Sequence, residues 1–351
     1  MDTSPNKNVS SFVFFILGLT LLILIATLRP VGFDQDSPNY ATEMLLSFDQ
    51  LSFSNKEPAY WLIQQLNLLI FAGNPNTFFF AFAVISITIK FYAIKKYSLI
   101  PWLGLLCYIA FFYIIQDMTQ IRAGVAIGFV FMSTRDIINK NLRGFITKIF
   151  LATMFHYSAI IFALLYLIRG DINNRKFFYL SLPILGLIIA KLNLFQHLLF
   201  SMAQFLPVFL ASKINIYHEL LLSNKLETVN PINLGNIFLL CICYFSYYLY
   251  SKNYHSVMVS EKNSYPDLQN EYINYSIKFL CIGFFILFSF SFVEVFAYRI
   301  ANFLFFYLVI LIPYVAMHIK PRVMINSLFV LYLTYTLAKN IDLMLNFKAF
   351  I

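Results

Sequence analysis

Four short clusters hold most of the side chains in this sequence that could do chemistry. The first is acidic: Arg29-Pro30-Val31-Gly32-Phe33-Asp34-Gln35-Asp36-Ser37-Pro38-Asn39-Tyr40, continued by Glu43, Asp49 and Glu57 against a single Lys56. Carboxylates two residues apart, such as Asp34 and Asp36, can take a proton from a hydroxyl or hold a cation. A solvated acidic loop is the plainer reading of the same residues. The second cluster is Asp117-Met118-Thr119-Gln120-Ile121-Arg122, followed by the small residues Ala123, Gly124, Ala126 and Gly128, which let helices pack closely. An arginine entering an apolar helix is costly, so it marks function unless it snorkels to the interface. The third is Phe155-His156-Tyr157-Ser158, where an imidazole in an apolar run either bonds a neighbouring helix or carries protons. The fourth runs from Glu294 through Tyr298, Arg299 and Asn302 to Phe303. Arg299, Asn302 and Phe306 there fall at helical spacing on one face. A local ion pair between Glu294 and Arg299, closing a turn, is its plain alternative. Two guanidiniums are what a diphosphate needs, because the planar fork is always charged and binds phosphate bidentately.

The elements that must position these clusters are set by composition. Of 351 residues, 60% are hydrophobic and only 12% charged. A soluble domain is nearer ~45–50% apolar and ~25% charged, so a cytosolic enzyme is excluded. With 41 Phe, 23 Tyr and 2 Trp, the chain is also too aromatic to be disordered. Apolar windows long enough to approach a crossing recur at about 11–29, 77–95, 100–116, 119–134, 146–168, 177–192, 194–211, 234–250, 273–295, 299–318 and 322–340. No ten-residue alternation marks a β-barrel. The expectation is an all-α, polytopic membrane helix bundle of about 10–12 transmembrane helices in a single integral membrane domain, 1–351. Its polar connections are an outer acidic loop 30–56, an outer loop 213–233 and a cytoplasmic loop 251–272. The run 11–29 lacks a small-residue cleavage pattern and reads as a retained first span.

Segment 57–72 differs from the spans. It begins Glu57-Pro58 and carries Gln64, Gln65 and Asn67, amides that would face lipid on a full crossing. It is expected to be an interfacial helix, or one tucked back into the bundle. With the N-terminus inside and 57–72 not crossing, Lys95, Lys96 and the basic 135–148 loop fall in the cytoplasm, and so do Lys90 and Lys278. If 57–72 crossed, the basic loops would move outside, against the rule. The net charge of +9 therefore reads as an orientation signal and not as a nucleic-acid surface. Asp34, Asp36, Arg122 and Arg299 then share the outer side, with His156 below them. No cofactor is implied: there is no glycine-rich phosphate loop, no HExxH, and no metal spacing among the four cysteines.

In this order the clusters resemble the EpsG/Wzy-type polysaccharide polymerases of bacterial envelopes. The matches are Gly32 to Tyr40 for G-x-D with D-x-x-N-Y, Glu57 to Tyr60 for E-P-x-Y, Ile121 to Ala126 for I-R-x-x-x-A, Phe155 to Ala159 for F-H-x-S-A, and Arg299 to Phe303 for the late R-x-x-x-F/Y. The resemblance implies a GT-C-like bundle in the bacterial inner membrane. It implies polymerisation of undecaprenyl-diphosphate-linked oligosaccharide repeats into O-antigen or exopolysaccharide on the outer face, with a chain-length regulator and a flippase as possible partners. Asp36 or Asp34 would be the general base and Arg122 and Arg299 would neutralise the leaving diphosphate. Glu57, His156, Gln120 and Asn302 would orient substrate or share protons, and Tyr40, Tyr60, Trp61 and Tyr298 would stack on sugars. Three other readings stay open. A polyprenyl-monophosphate-sugar glycosyltransferase would use the Asp34-x-Asp36 pair. A lipid-linked oligosaccharide flippase would need charges reaching both faces, and an O-acyltransferase would use His156.

Overall fold

Helix boundaries follow the local chemistry of the chain. A computed structural model describes residues 5–44, 56–205, 214–216, 219, 220, 223, 228–260 and 268–347. Parts of all three expected loops, including 45–55 and 261–267, lie outside the described residues, and Asp49 with them. Among the described residues every regular element is helical, as the composition implies. The first elements are α1 (Pro5–Leu28), α2 (Ser37–Met44), α3 (Pro58–Phe71) and α4 (Pro75–Tyr97). Then α5 (Pro101–Tyr108) runs on as a π-helical stretch, Ile109–Thr119. It is followed by α6 (Ile121–Ile138), α7 (Leu142–Phe155) and a 3-10 segment, Tyr157–Leu167. The remaining α-helices among the described residues are α8 (Lys176–Lys191), α9 (Leu194–Met202), α10 (Leu234–Ser260), α11 (Leu268–Ser289), α12 (Glu294–Phe305), α13 (Leu308–His318) and α14 (Arg322–Phe347).

Prolines 58, 75 and 101 each open a helix, where the missing N–H would have had no partner. Asn74 caps α4 by accepting the Asn76 N–H at 2.9 Å. Helix α3 ends at Ala72 and Gly73, both with positive φ. A Cβ on Gly73 would come 2.4 Å from the Met44 carbonyl, so glycine lets the chain turn tightly beneath α2.

Among the described residues five helices are long and apolar enough to cross a membrane, or seven if two bent pairs each make one span. That is fewer than the apolar windows, for a physical reason. Window 146–168 breaks into α7 and the 3-10 segment at His156. Window 299–318 bends by 50° between α12 and α13. Helix α3, with 14 residues, is about 21 Å long at 1.5 Å per residue and falls short of a ~30 Å hydrocarbon layer. Its amides turn inward, as the sequence requires: Gln64 donates to the Glu43 carbonyl at 3.2 Å and Asn67 to the Asn74 carbonyl at 3.1 Å.

The chain folds as two compact units, Met1–Arg169 with Ile319–Ile351, and Gly170–His318. In the first, an aromatic core of Tyr40, Tyr60, Phe78, Phe79, Phe82 and Phe155 joins α2, α3, α4 and α7. Tyr60 meets Phe78 edge-on at 5.3 Å, and Phe82 meets Phe155 edge-on at 5.9 Å. In the second, α11 is buried along most of its length. Its Asn274 accepts the Ile172 N–H at 2.9 Å and donates to the Gly170 carbonyl at 3.2 Å. Lys278 donates to the same carbonyl and stands 4.2 Å from the Tyr275 ring centroid. Charge counting assigns Lys278 and Lys90 to the cytoplasmic side as if both were solvated. Both are instead fully buried inside helices, α11 and α4, because protein oxygens hold their ammonium groups.

Candidate active site

The acidic loop after α1 is organised by Asp34. Its Oδ2 accepts Arg29 Nε at 3.0 Å, and its Oδ1 takes the Asp36 and Ser37 N–H groups at 3.1 and 2.9 Å. That caps α2 at its N-terminus. Gly32, with φ +86°, adds its N–H to Ser37 Oγ. Arg29 is clamped in turn over the Phe79 ring at 3.8 Å. Both partners of this ion pair are buried, at 2% and 0% side-chain exposure. Asp34 therefore holds the loop together, and Asp36, beside it, faces a cavity.

That cavity has a volume of about 420 Å³ and is lined by Asp36, Asn39, Tyr40, Thr42, Glu43 and Arg122. Arg122 reaches it from the first turn of α6, just past the break at Gln120 where the π-helical stretch ends. Its Nη1 donates to Glu57 Oε2 at 2.7 Å, and it also bonds the Tyr40 hydroxyl. The guanidinium carbon lies 5.1 Å from the Tyr60 ring centroid and 6.0 Å from that of Tyr40. Glu57 precedes α3 in extended backbone, which leaves its carboxylate free to turn toward α6. Its other oxygen meets His156 Nδ1 at 3.3 Å. His156 can reach it because α7 stops at Phe155 and residue 156 is extended, with φ −154°. Three separated segments thus meet in one chain, His156–Glu57–Arg122. Burial works against charge on Glu57, but His156, Arg122 and a backbone N–H together pull its carboxyl down to about 2. Burial pushes the Tyr40 hydroxyl up to about 12, against the pull of Arg122, so at neutral pH it is a hydrogen-bond donor.

Two residues not singled out from the sequence support the cavity, Glu43 in its wall and Lys56 bonded to Glu43. Glu43 accepts the Tyr60 hydroxyl and Lys56 Nζ, the latter at 2.9 Å. Lys56 is also tied to Gln64 Oε1 at 3.2 Å, and its carbonyl takes the Tyr157 hydroxyl at 2.8 Å. Only the acidity of the loop pointed to Glu43, because its partners lie on α3, at Tyr60, and just before it, at Lys56.

A second polar cluster is buried in the same unit. Lys90 Nζ meets Asp117 Oδ1 at 2.7 Å, with both side chains at 0% exposure. Ser86 donates to the same oxygen, the Tyr108 hydroxyl to Oδ2 at 2.5 Å, and Lys90 also to Gln116 Oε1 at 3.1 Å. A Cβ on Gly124 would lie 2.5 Å from the Gln116 carbonyl, so this knot packs directly against the first turns of α6.

Other expectations change. Tyr60 is 1% exposed, so its ring belongs to the core and cannot stack on a sugar, and only its hydroxyl serves the site. Tyr40 is buried as well, with its polar edge at the cavity. Glu294, Tyr298, Arg299 and Asn302 belong to the second unit, on α12 and not in a turn, with Arg299 exposed and Phe306 buried.

The membrane-length helices define a polytopic membrane protein, and the polar cavity at Arg122 is its candidate site. The EpsG family model matches residues 12–348, nearly the whole chain, and the chain belongs to the EpsG family. Membership connects it to polysaccharide biosynthesis at a membrane. No curated protein and no solved structure matches it.

Proposed function

We propose that the protein polymerises oligosaccharide repeats carried on undecaprenyl diphosphate, on the outer face of the bacterial inner membrane. The observation that carries this reading is the cavity wall, where Asp36 stands with Arg122 and Arg122 is steered by Glu57 and His156. In the proposed step an acceptor sugar hydroxyl attacks the anomeric carbon of the chain being transferred. Its proton passes to the Asp36 carboxylate. The bond between the anomeric carbon and the diphosphate oxygen breaks, and undecaprenyl diphosphate leaves with the electron pair. Arg122 supplies positive charge where that negative charge grows, which lowers the barrier more than it tightens ground-state binding. Its spare N–H donors and 36% side-chain exposure leave room for a phosphate oxygen. Glu57 and His156 hold the guanidinium plane, and Asn39, Thr42 and the Tyr40 hydroxyl offer bonds to sugar hydroxyls. Arg299 is the second guanidinium of this reading, supported by the family motif and by its exposure on α12.

The rival monophosphate-sugar transferase needs Asp34 and Asp36 as a working pair. It is weakened because Asp34 is consumed by Arg29 and the α2 cap. The deciding experiment deletes the gene and resolves envelope polysaccharide on a gel. Loss of the long-chain ladder with single repeats retained supports polymerisation. An unchanged ladder rejects it, and loss of every repeat points to flipping or to an earlier sugar addition. Asp36→Asn is expected to abolish the ladder. Asp34→Asn is expected to lower the amount of folded protein.

A further inference from the structure

The second unit contains a cavity that this reading does not use. It has a volume of about 330 Å³, within the ~300–1,000 Å³ range of small-molecule sites. Asn193 and Gln196 come from the α8–α9 bend, Ser289 and Ser291 from the end of α11, and Thr228 from the segment before α10. Phe292 adds an apolar face. The Val229 N–H bonds the Ser291 carbonyl at 2.8 Å, which pins that segment against the α11–α12 turn.

Two independent observations point to a ligand. Ser289 lines the cavity at 1% exposure, and its buried Oγ has no hydrogen-bond partner, an arrangement that costs free energy until something occupies it. Among the described residues the lining contains no charged side chain. Amides and hydroxyls both donate and accept, which suits an uncharged, hydroxyl-rich molecule. The described lining offers a phosphate no cation, and a lipid tail would strand its polar atoms. Thr228 and Val229 come from the loop 213–233, and Ser291 and Phe292 from the turn before α12; charge patterning assigns both to the outer side.

We propose that this cavity is a carbohydrate subsite that holds one or two neutral sugar residues of the glycan. It deepens the polymerase reading and rests on it for the identity of the glycan. The test uses neutral oligosaccharides of one and two repeats, released from the host's own polysaccharide and free of phosphate. They are titrated onto the purified full-length chain in nanodiscs and followed by saturation-transfer NMR. Wild type is expected to bind. Gln196→Ala, at the partly exposed rim, should weaken binding on the order of tenfold. Ser289→Leu, which fills the cavity, should abolish it. In cells Gln196→Ala should shift the ladder to shorter chains, whereas Arg122→Ala removes it. No binding by wild type, or wild-type affinity in either cavity variant, overturns the proposal. A full ladder from Arg122→Ala would overturn the polymerase reading and leave the binding result standing.

Discussion

Asp117 and Arg122 flank one break in the chain, yet the ion pairs they make are in different surroundings. Lys90–Asp117 is dry, and its hydrogen-bond partners Ser86, Tyr108 and Gln116 all come from protein. Arg122–Glu57 sits at a cavity rim, with the arginine side chain 36% exposed. The chemistry of the two pairs is alike, but their accessibility is not. A charge with all its bonds satisfied internally can hold a helix end but cannot exchange partners for a substrate. A charge with spare donors at the edge of water can. The dry pair thus reads as the anchor for the start of α6, and the rim pair as what that anchor presents.

Breaking the dry pair should have the largest effect. Asp117→Leu leaves the Lys90 ammonium buried without its counter-charge, and removing one partner of such a pair costs about 3–5 kcal/mol. The melting temperature of the detergent-purified protein should fall sharply. Lys90→Met combined with Asp117→Leu should recover much of the loss, because the uncompensated charge is gone. If Asp117→Leu melts like wild type, the anchoring role fails.

Arg122→Ala should behave in the opposite way. Only the arginine side of its ion pair is exposed, but His156 would still hold the Glu57 carboxylate, so stability should fall by less than in Asp117→Leu. Chain growth should drop by roughly 10²–10³-fold, the typical loss when one preorganised electrostatic partner of a transition state is removed. Gel analysis of the polysaccharide alongside a melting curve separates the two effects. A matching fall in melting temperature would make Arg122 another anchor.

This contrast was only half visible in the sequence. The apolar windows and the odd amides of 57–72 gave the helical class and the short α3, because span length and amide burial are local properties. Glu57, Arg122 and His156 could be picked out as types, since charge and imidazole in an apolar run have few cheap explanations. Their meeting depends on two backbone breaks, at Gln120 and His156, and no proline or glycine marks either. Asp34 and Asp36 look equivalent as letters, and only the reach of Arg29 separates loop organiser from cavity wall. The burial of Lys90 was not legible because charge counting treats every lysine as solvated, and its partner lies on the π-helical stretch two elements away.

A smaller effect tests how Glu57 is held. Its folded carboxyl lies at about 2, against an ordinary 4.5. A lowered value means that the ionised form stabilises the fold above about pH 4.5, and that this contribution fades as the pH falls from 4.5 toward 2. Between pH 7 and 5 the melting temperature of wild type relative to Glu57→Gln should stay flat. Below 4.5 the difference between them should shrink. A gap that stays constant down to pH 3 would mean that the Arg122 and His156 bonds do not favour the carboxylate.

The smallest effect belongs to Lys56→Ala. Lys56 joins Glu43 at the cavity edge with 20% of its side chain exposed and Glu43 at 34%, so water already solvates much of the pair. Such pairs are worth about 0–1 kcal/mol, and the Tyr60 hydroxyl would still hold Glu43. The melting curve should barely move, and any change in ladder intensity should be modest beside that of Arg122→Ala. A loss of stability approaching that of Asp117→Leu would place Lys56 with the anchors, and exposure would then no longer separate the two kinds of ion pair in this unit.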